Sequence, residues 1–228
     1  MIVEWPSPKL APLVIDLALI NRSRSAGESL TGFEQVASPI TSRWGAELTF
    51  NNLKRPFIPA WRAMIASLEG RTNELRVPTF DPRFWASDEV LGLGTATHSD
   101  GTAFADGALY AAGDIDGITA TGLRGVKELS VNLGVHAPAL EGGQYFGIAD
   151  ETYLATKVVY AGTVATINFQ PGLRQDHTAS IFRLRPRMIM RLADDAQGRL
   201  PLTRGIVAAP TLQLIEVLPD ELTAGVVS

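Results

Sequence analysis

The stretch Leu140–Tyr160, LEGGQYFGIADETYLATKVVY, decides how this chain folds. Two short apolar runs flank an acidic turn, and the pair Gly142–Gly143 stands before the first run. Alternating residues face opposite sides of a strand, so apolar residues at every second position mark a half-buried strand rather than a helix. The segment reads as a β-hairpin, with strands over 145–148 and 153–160. It holds nothing shaped like a nucleophile or a metal cage, so it reads as a building part.

The same period continues on both sides. Leu129, Val131 and Leu133 alternate before the hairpin, and TVATINF at 163–169 follows it and ends at the turn QPGLR. Further strands are expected over Ser180–Leu184 and Met188–Leu192 and in the Pro-bounded segment TLQLIEVL. Near the start, Leu13, Ile15, Leu17 and Leu19 alternate after Pro12, and RWGAELTF sets Trp44, Ala46, Leu48 and Phe50 against Arg43, Glu47 and Thr49. Between them residues 21–39 are polar and Gly/Ser-containing, which predicts a loop with at most one short strand. Leu75–Val77 reads as one more short strand.

One segment breaks the pattern. In IPAWRAMIASLEG, Trp61, Met64, Ile65 and Leu68 fall at the i, i+3, i+4, i+7 spacing of a helix face. Pro59 suits the first turn, where its missing N–H costs nothing, and Gly70 can take the left-handed conformation that ends the helix. The spacing predicts one helix, over 58–69. Residues 91–125, dominated by Gly, Ala, Thr and Asp, read as long loops with one or two weak strands and as the start of an inserted module. The fold class expected is mainly β with one helix, in two modules. Residues 1–85 and the C-terminal strands form the first, because the apolar last strand needs a partner sheet, and the second is inserted between them.

Composition bounds the function. The chain has 228 residues, 46% hydrophobic and 19% charged, which is enough to build a core. A net charge of −4 argues against an electrostatic nucleic-acid surface. With no cysteine, disulfides, thiolate catalysis and Cys-ligated zinc are excluded. The start MIVEWPSPKL lacks the basic-then-apolar pattern of a secretory signal. No apolar run reaches the roughly 18–20 residues that cross a bilayer as a helix, so no membrane partner is expected.

Candidate chemistry is sparse. No G-x-S-x-G elbow occurs. His98, His136 and His177 lie in separate turn-like segments without zinc spacing, and each reads as a solvated loop residue. Gly92 and Gly94 lack the third glycine and the Gly-Lys-Ser/Thr ending of phosphate loops. Asp114 and Asp116 have calcium-like spacing, but Gly125 stands where a closing carboxylate would be needed. Glu141, Asp150 and Glu151 are carboxylates at turns, where charge is expected anyway. Neither a metal nor another cofactor is implied, and no catalytic residue is assigned. Trp44 and Trp61 fit core faces, whereas Trp5 and Trp85 have no evident core role.

Basic residues cluster at Lys54 and Arg55 and in RLRPRMIMR. A continuous strand would send Arg183, Arg185 and Arg187 to one face, where three guanidinium groups repel unless acidic groups meet them. That stripe reads either as a solvated edge or, with Lys54 and Arg55, as an intersubunit contact against an acidic rim.

The order of these segments resembles tail proteins of long-tailed bacteriophages. RWGAELTF, then the tryptophan-containing helix ending in LEGR, then a strand and FDPR resembles their N-terminal part. LEGGQYFGIADETYLATKVV, GTVATINFQPGLR and LRPRMIMRLADDAQGR resemble their recurring hairpin, G-x-A-T strand and Pro-containing strand. The resemblance covers about 43–85 and 127–200. It departs from the pattern at Gly143-Gln144, where Gly-Asp is usual, and at Ala149-Asp150, where a second glycine is common.

The resemblance implies a distal tail or tail-tip protein of the virion, assembled in the host cytoplasm and without enzymatic activity. Its implied fold is a tail-tube-like β-sandwich ring domain, 1–85 with 186–228, carrying the helix, plus an inserted small β-barrel, 86–185, with Gly/Ala-rich loops. Its implied partners are further copies of itself in a ring, typically a hexamer, the tail tube protein, and the hub and other tail-tip proteins. Phage DNA would pass through an acidic lumen without specific binding. A neighbouring hub or terminator component is the close alternative. A receptor- or carbohydrate-binding barrel, using Trp85 or Tyr145, is the other.

Overall fold

The computed structural model describes residues 1–6, 10–21, 24–28, 34–37, 42–50, 53, 57–80, 117–200 and 209–224. In chain order the elements are β1 (Ile2–Glu4), β2 (Val14–Ile20), β3 (Arg24–Glu28), β4 (Glu34–Ala37), β5 (Arg43–Thr49), α1 (Ile58–Leu68) and β6 (Glu74–Pro78). There follow β7 (Thr119–Gly122), β8 (Glu128–Asn132), β9 (Tyr145–Ile148), β10 (Glu151–Ala161), β11 (Val164–Gln170) and β12 (His177–Arg183). The last are β13 (Arg187–Leu192), β14 (Thr211–Glu216) and α2 (Pro219–Ala224). The protein is mainly β, with one helix of more than two turns among the described residues and a small, nearly closed barrel inserted in the chain. The described segments form two compact units: Met1–Val77 with Met188–Ser228, and Pro78–Arg187. The first boundary thus falls at Val77 where 85 was expected, beside β6, which lies between β1 and β13 in the first sheet.

In the discontinuous unit a six-stranded sheet runs β1-β6-β13-β14-β5-β2. Register carries the sequence alternation across it: Leu17, Ala46 and Leu214 align, as do Ile15, Leu48 and Leu212. Trp44, Leu48, Phe50, Leu75, Met190 and Leu214 are buried. Helix α1 buries Ile58, Trp61, Met64 and Leu68, each worth roughly 1.5–3 kcal/mol when fully removed from water. Trp61 meets Phe50 edge-on at 4.9 Å, and its Nε1–H donates to the Gly198 carbonyl at 3.0 Å. Left-handed Glu69 and Gly70, at φ 47° and 65°, end the helix.

Several local expectations change. The segment 21–39 contains a two-stranded hairpin, β3 with β4, where one strand at most was expected. Short sequences without alternation carry little strand signal, and pairing supplies what the pattern lacks. Trp5 is core: it is 6% exposed, stacks on Phe50 at 6.1 Å and donates from Nε1 to the Leu10 carbonyl at 2.8 Å. The six-residue α2 follows β14, with Asp220 and Glu221 in its first turn, where the helix dipole favours carboxylates.

In the inserted unit the sheet runs β7-β12-β9-β10-β11-β8. Its two ends, β7 and β8, approach one another, so the sheet is nearly closed. A Cβ on Gly122 of β7 would lie 2.5 Å from Leu129 Cδ2 of β8, so any larger residue there would have to push the Leu129 side chain aside. Inside, Phe146 has ring centroids 5.7, 5.5 and 5.4 Å from those of Tyr153, Phe169 and Phe182. The opening hairpin is β9–β10, paired from Tyr145↔Leu154 to Ile148↔Glu151. Gly143, at φ 89°, turns the chain into it and donates its N–H to the Ala155 carbonyl at 2.7 Å. A register shift between Ala155 and Lys157 re-phases β10, so Tyr153 and Ala155 point inward before it and Val158 and Tyr160 pack on the core after it.

Candidate functional site

The arginine stripe does not lie on one strand. Arg183 ends β12, Arg187 begins β13, and the chain bends between them over Leu184–Pro186. Proline at 186 has no N–H to give a ladder, which favours a break there. All three arginines are half-buried. Arg187 Nε donates to Asp150 Oδ1 at 2.8 Å, and Arg183 Nε donates to the Ala149 carbonyl at 3.2 Å. Two of the guanidinium groups therefore clamp the β9–β10 turn from inside the same unit. This is how like charges at this spacing are tolerated. Lys54, Arg55 and Trp85 lie outside the described residues, as do His98, Gly92, Gly94, Asp114 and Asp116. Tyr145 is half-buried at the start of β9. His136 is half-buried in a single 3-10 turn, Gly134–His136.

His177 overturns the expectation of a solvated loop residue. It is 4% exposed and opens β12. Its Nε2 lies 3.1 Å from Glu151 Oε2, and its Nδ1 lies 3.1 Å from Ser180 Oγ. Glu151, also buried, accepts a hydrogen bond from Gln175 Nε2 at 2.7 Å on its other oxygen and one from the Tyr153 hydroxyl. Burial first, and then the neighbouring Glu151 carboxylate, push the Tyr153 hydroxyl far above its ordinary range, so it remains a donor. The Arg174 N–H in turn donates to the Tyr153 oxygen at 3.3 Å.

Local sequence explains half of this cluster. Glu151 and Tyr153 sit two apart on β10 and so share its inner face. His177 and Ser180 are three apart, which on a regular strand would point them to opposite faces. Between them β12 shifts register against β7, and Ala179 takes φ 49°. The bulge turns Ser180 back toward His177. The signal available in the sequence was the pair Glu151/Tyr153 on an inner face, which demands polar partners somewhere in the fold.

The first unit presents a different feature. Over β2, β5 and β14 runs a shallow groove of about 290 Å³ lined in part by Asp16, Ala18, Ile20, Gly45 and Glu47. Beside it β2 forms the sheet edge among the described residues, with Val14 55% and Ile20 43% exposed and Leu13, just before the strand, 61%. Among the described residues no cluster of His, Asp and Glu could hold a metal, and no helix is long and apolar enough to cross a membrane. No protein-family model matches the chain, and no curated protein matches it.

Proposed function

We propose that this chain is a structural ring subunit of the tail tip of a long-tailed bacteriophage, and that it joins the end of the tail tube to the hub. The observation that carries this reading is the open six-stranded sheet, which ends among the described residues at β1 and at the seven-residue β2. An apolar edge strand presents unpaired N–H and C=O groups beside exposed side chains and invites uncontrolled pairing unless another chain covers it. A head-to-tail ring of identical copies meets that need, because closure leaves no copy with an open edge. The segment order that resembles tail-tip proteins supports the same reading. So does the net charge of −4, which suits a channel through which DNA passes without sticking. Within this reading the inserted barrel is a rigid module that faces neighbouring tail-tip components.

The test is the native mass of the purified full chain over a wide concentration range, with the tagged chain located in purified tails. A closed ring, typically a hexamer, is expected. Val14→Lys, which places a charge on the edge while leaving the buried face of β2 alone, is expected to release subunits with unchanged circular dichroism. A monomer at every concentration, together with absence of the tag from tails, overturns the reading.

A further inference from the structure

Ser180, His177 and Glu151 form a line through the wall of the barrel. The Glu151 carboxylate accepts only, so the His177 nitrogen 3.1 Å from it, Nε2, carries the proton. In the neutral imidazole that fixes the tautomer and leaves the Nδ1 lone pair facing Ser180 Oγ at 3.1 Å. The carboxylate is itself held by Gln175 and by the Tyr153 hydroxyl, so the imidazole cannot swing away. Glu151 and His177 are buried, Ser180 is half-buried, and Thr178 and Ala179 beside it are exposed. The line therefore begins in a dry interior and ends with a hydroxyl at the surface.

Backbone strain points to the same place. Ala179, directly before the serine, holds φ 49°, a left-handed conformation that a residue with a Cβ adopts only at a cost. It is pinned there by its N–H, which donates to Thr121 Oγ1 at 3.0 Å on the neighbouring strand. Strain maintained against its cost concentrates where geometry serves chemistry. Here it is what brings a hydroxyl and an imidazole three residues apart onto one side of a strand.

We propose that Ser180 is an activated nucleophile that hydrolyses short acyl esters, with His177 as general base and Glu151 as the positioning residue. Ser180 Oγ attacks the ester carbonyl carbon while its proton passes to His177 Nδ1. The tetrahedral adduct collapses, the bond from carbonyl carbon to alcohol oxygen breaks, and the alcohol leaves with the proton from His177. Water then attacks the acyl-serine, yields a proton to the same nitrogen, and releases the carboxylic acid with the serine restored. The sum is ester plus water giving acid plus alcohol. This activity is separate from ring assembly and stands or falls without it.

The experiment treats the intact full-length protein with a fluorophosphonate probe and maps the adduct by mass spectrometry, alongside p-nitrophenyl acetate turnover. The expected result is one adduct per chain, on Ser180, with the fluoride lost. Ser180→Ala removes the label, and His177→Gln slows labelling about 100-fold or more, the share a general base supplies. Glu151→Gln is expected to lower kcat for the ester and leave KM unchanged, a split that mere loosening of the barrel would not produce. Absence of label on Ser180 in the wild-type protein overturns the proposal, whatever the variants do. So does ester turnover in Ser180→Ala equal to wild type.

Discussion

The two units face one problem, the unpaired groups along a sheet's border, and meet it in opposite ways. The inserted unit bends its six strands until β7 and β8 approach, and fills the inside with Phe146, Tyr153, Phe169 and Phe182. Among the described residues the discontinuous unit keeps its sheet open, backs it with α1, and leaves β2 at the border with apolar side chains in water. A barrel gains its stability from an interior that only closure can create, whereas an open sheet keeps a surface that another chain can extend. Both units bury aromatic rings, Trp5, Phe50 and Trp61 in one and Phe146, Tyr153, Phe169 and Phe182 in the other, so the comparison teaches that the difference lies at the border strands and not in the core.

The largest expected effect breaks the barrel side of the contrast. Phe146→Ala empties the centre of the aromatic cluster, where the side chain is fully buried, and should cost about 3–5 kcal/mol. Amide hydrogen exchange in β9–β12 measures it, and a loss under 1 kcal/mol would mean that the rings do not organise the barrel.

Alkaline pH sharpens the comparison next. The Tyr153 hydroxyl is raised above its ordinary 10.0, so the folded barrel keeps a proton that the unfolded chain sheds. Stability tied to it is intact below pH 10 and declines above, by about 1.4 kcal/mol per pH unit for one proton. Tyr153→Phe should remove that slope in denaturant titrations between pH 9 and 11, though it lowers stability at neutral pH by leaving Glu151 one donor short.

Ala149 offers a gain. It holds φ 55° in the β9–β10 turn, where its N–H donates to the Ile181 carbonyl at 2.8 Å. Ala149→Gly relieves the left-handed strain but adds unfolded-chain entropy, for a net stabilisation of about 0.5–1 kcal/mol by thermal unfolding. An unchanged or lower Tm would contradict it.

The smallest effect belongs to the open unit. Arg43 meets Glu221 through two hydrogen bonds, at 3.1 and 2.6 Å. Burial raises the Glu221 carboxyl, but the bonds and charge of Arg43 outweigh it and hold the group below its ordinary 4.5. Both side chains are about a third exposed, so water screens the pair and Glu221→Gln should cost only about 0.3–1 kcal/mol. The contribution is present above pH 4.5 and lost as pH falls through the lower folded value, so wild type and variant should converge in acid.

Much of this was legible in residues. The alternation at 44–50, 129–133 and 163–169 marks strands because side-chain direction follows backbone geometry one residue at a time. Trp61, Met64 and Leu68 mark α1 for the same reason. What escaped reading lies where a bulge resets the phase: β10 at Thr156, and β12 between His177 and Ser180. Trp5 escaped because WPSPKL has no period, and its burial depends on Phe50, a residue far along the chain.

Local pattern thus determined by itself that the chain is built of strands with one helix, since periodicity is a property of neighbouring residues. Which borders meet was decided only by the tertiary structure. So was the placing of Glu151, His177 and Ser180 in one line, because closure and contact depend on register between distant strands. Strand twist, bulges and side-chain volumes set that register jointly, and no short stretch of sequence encodes it alone.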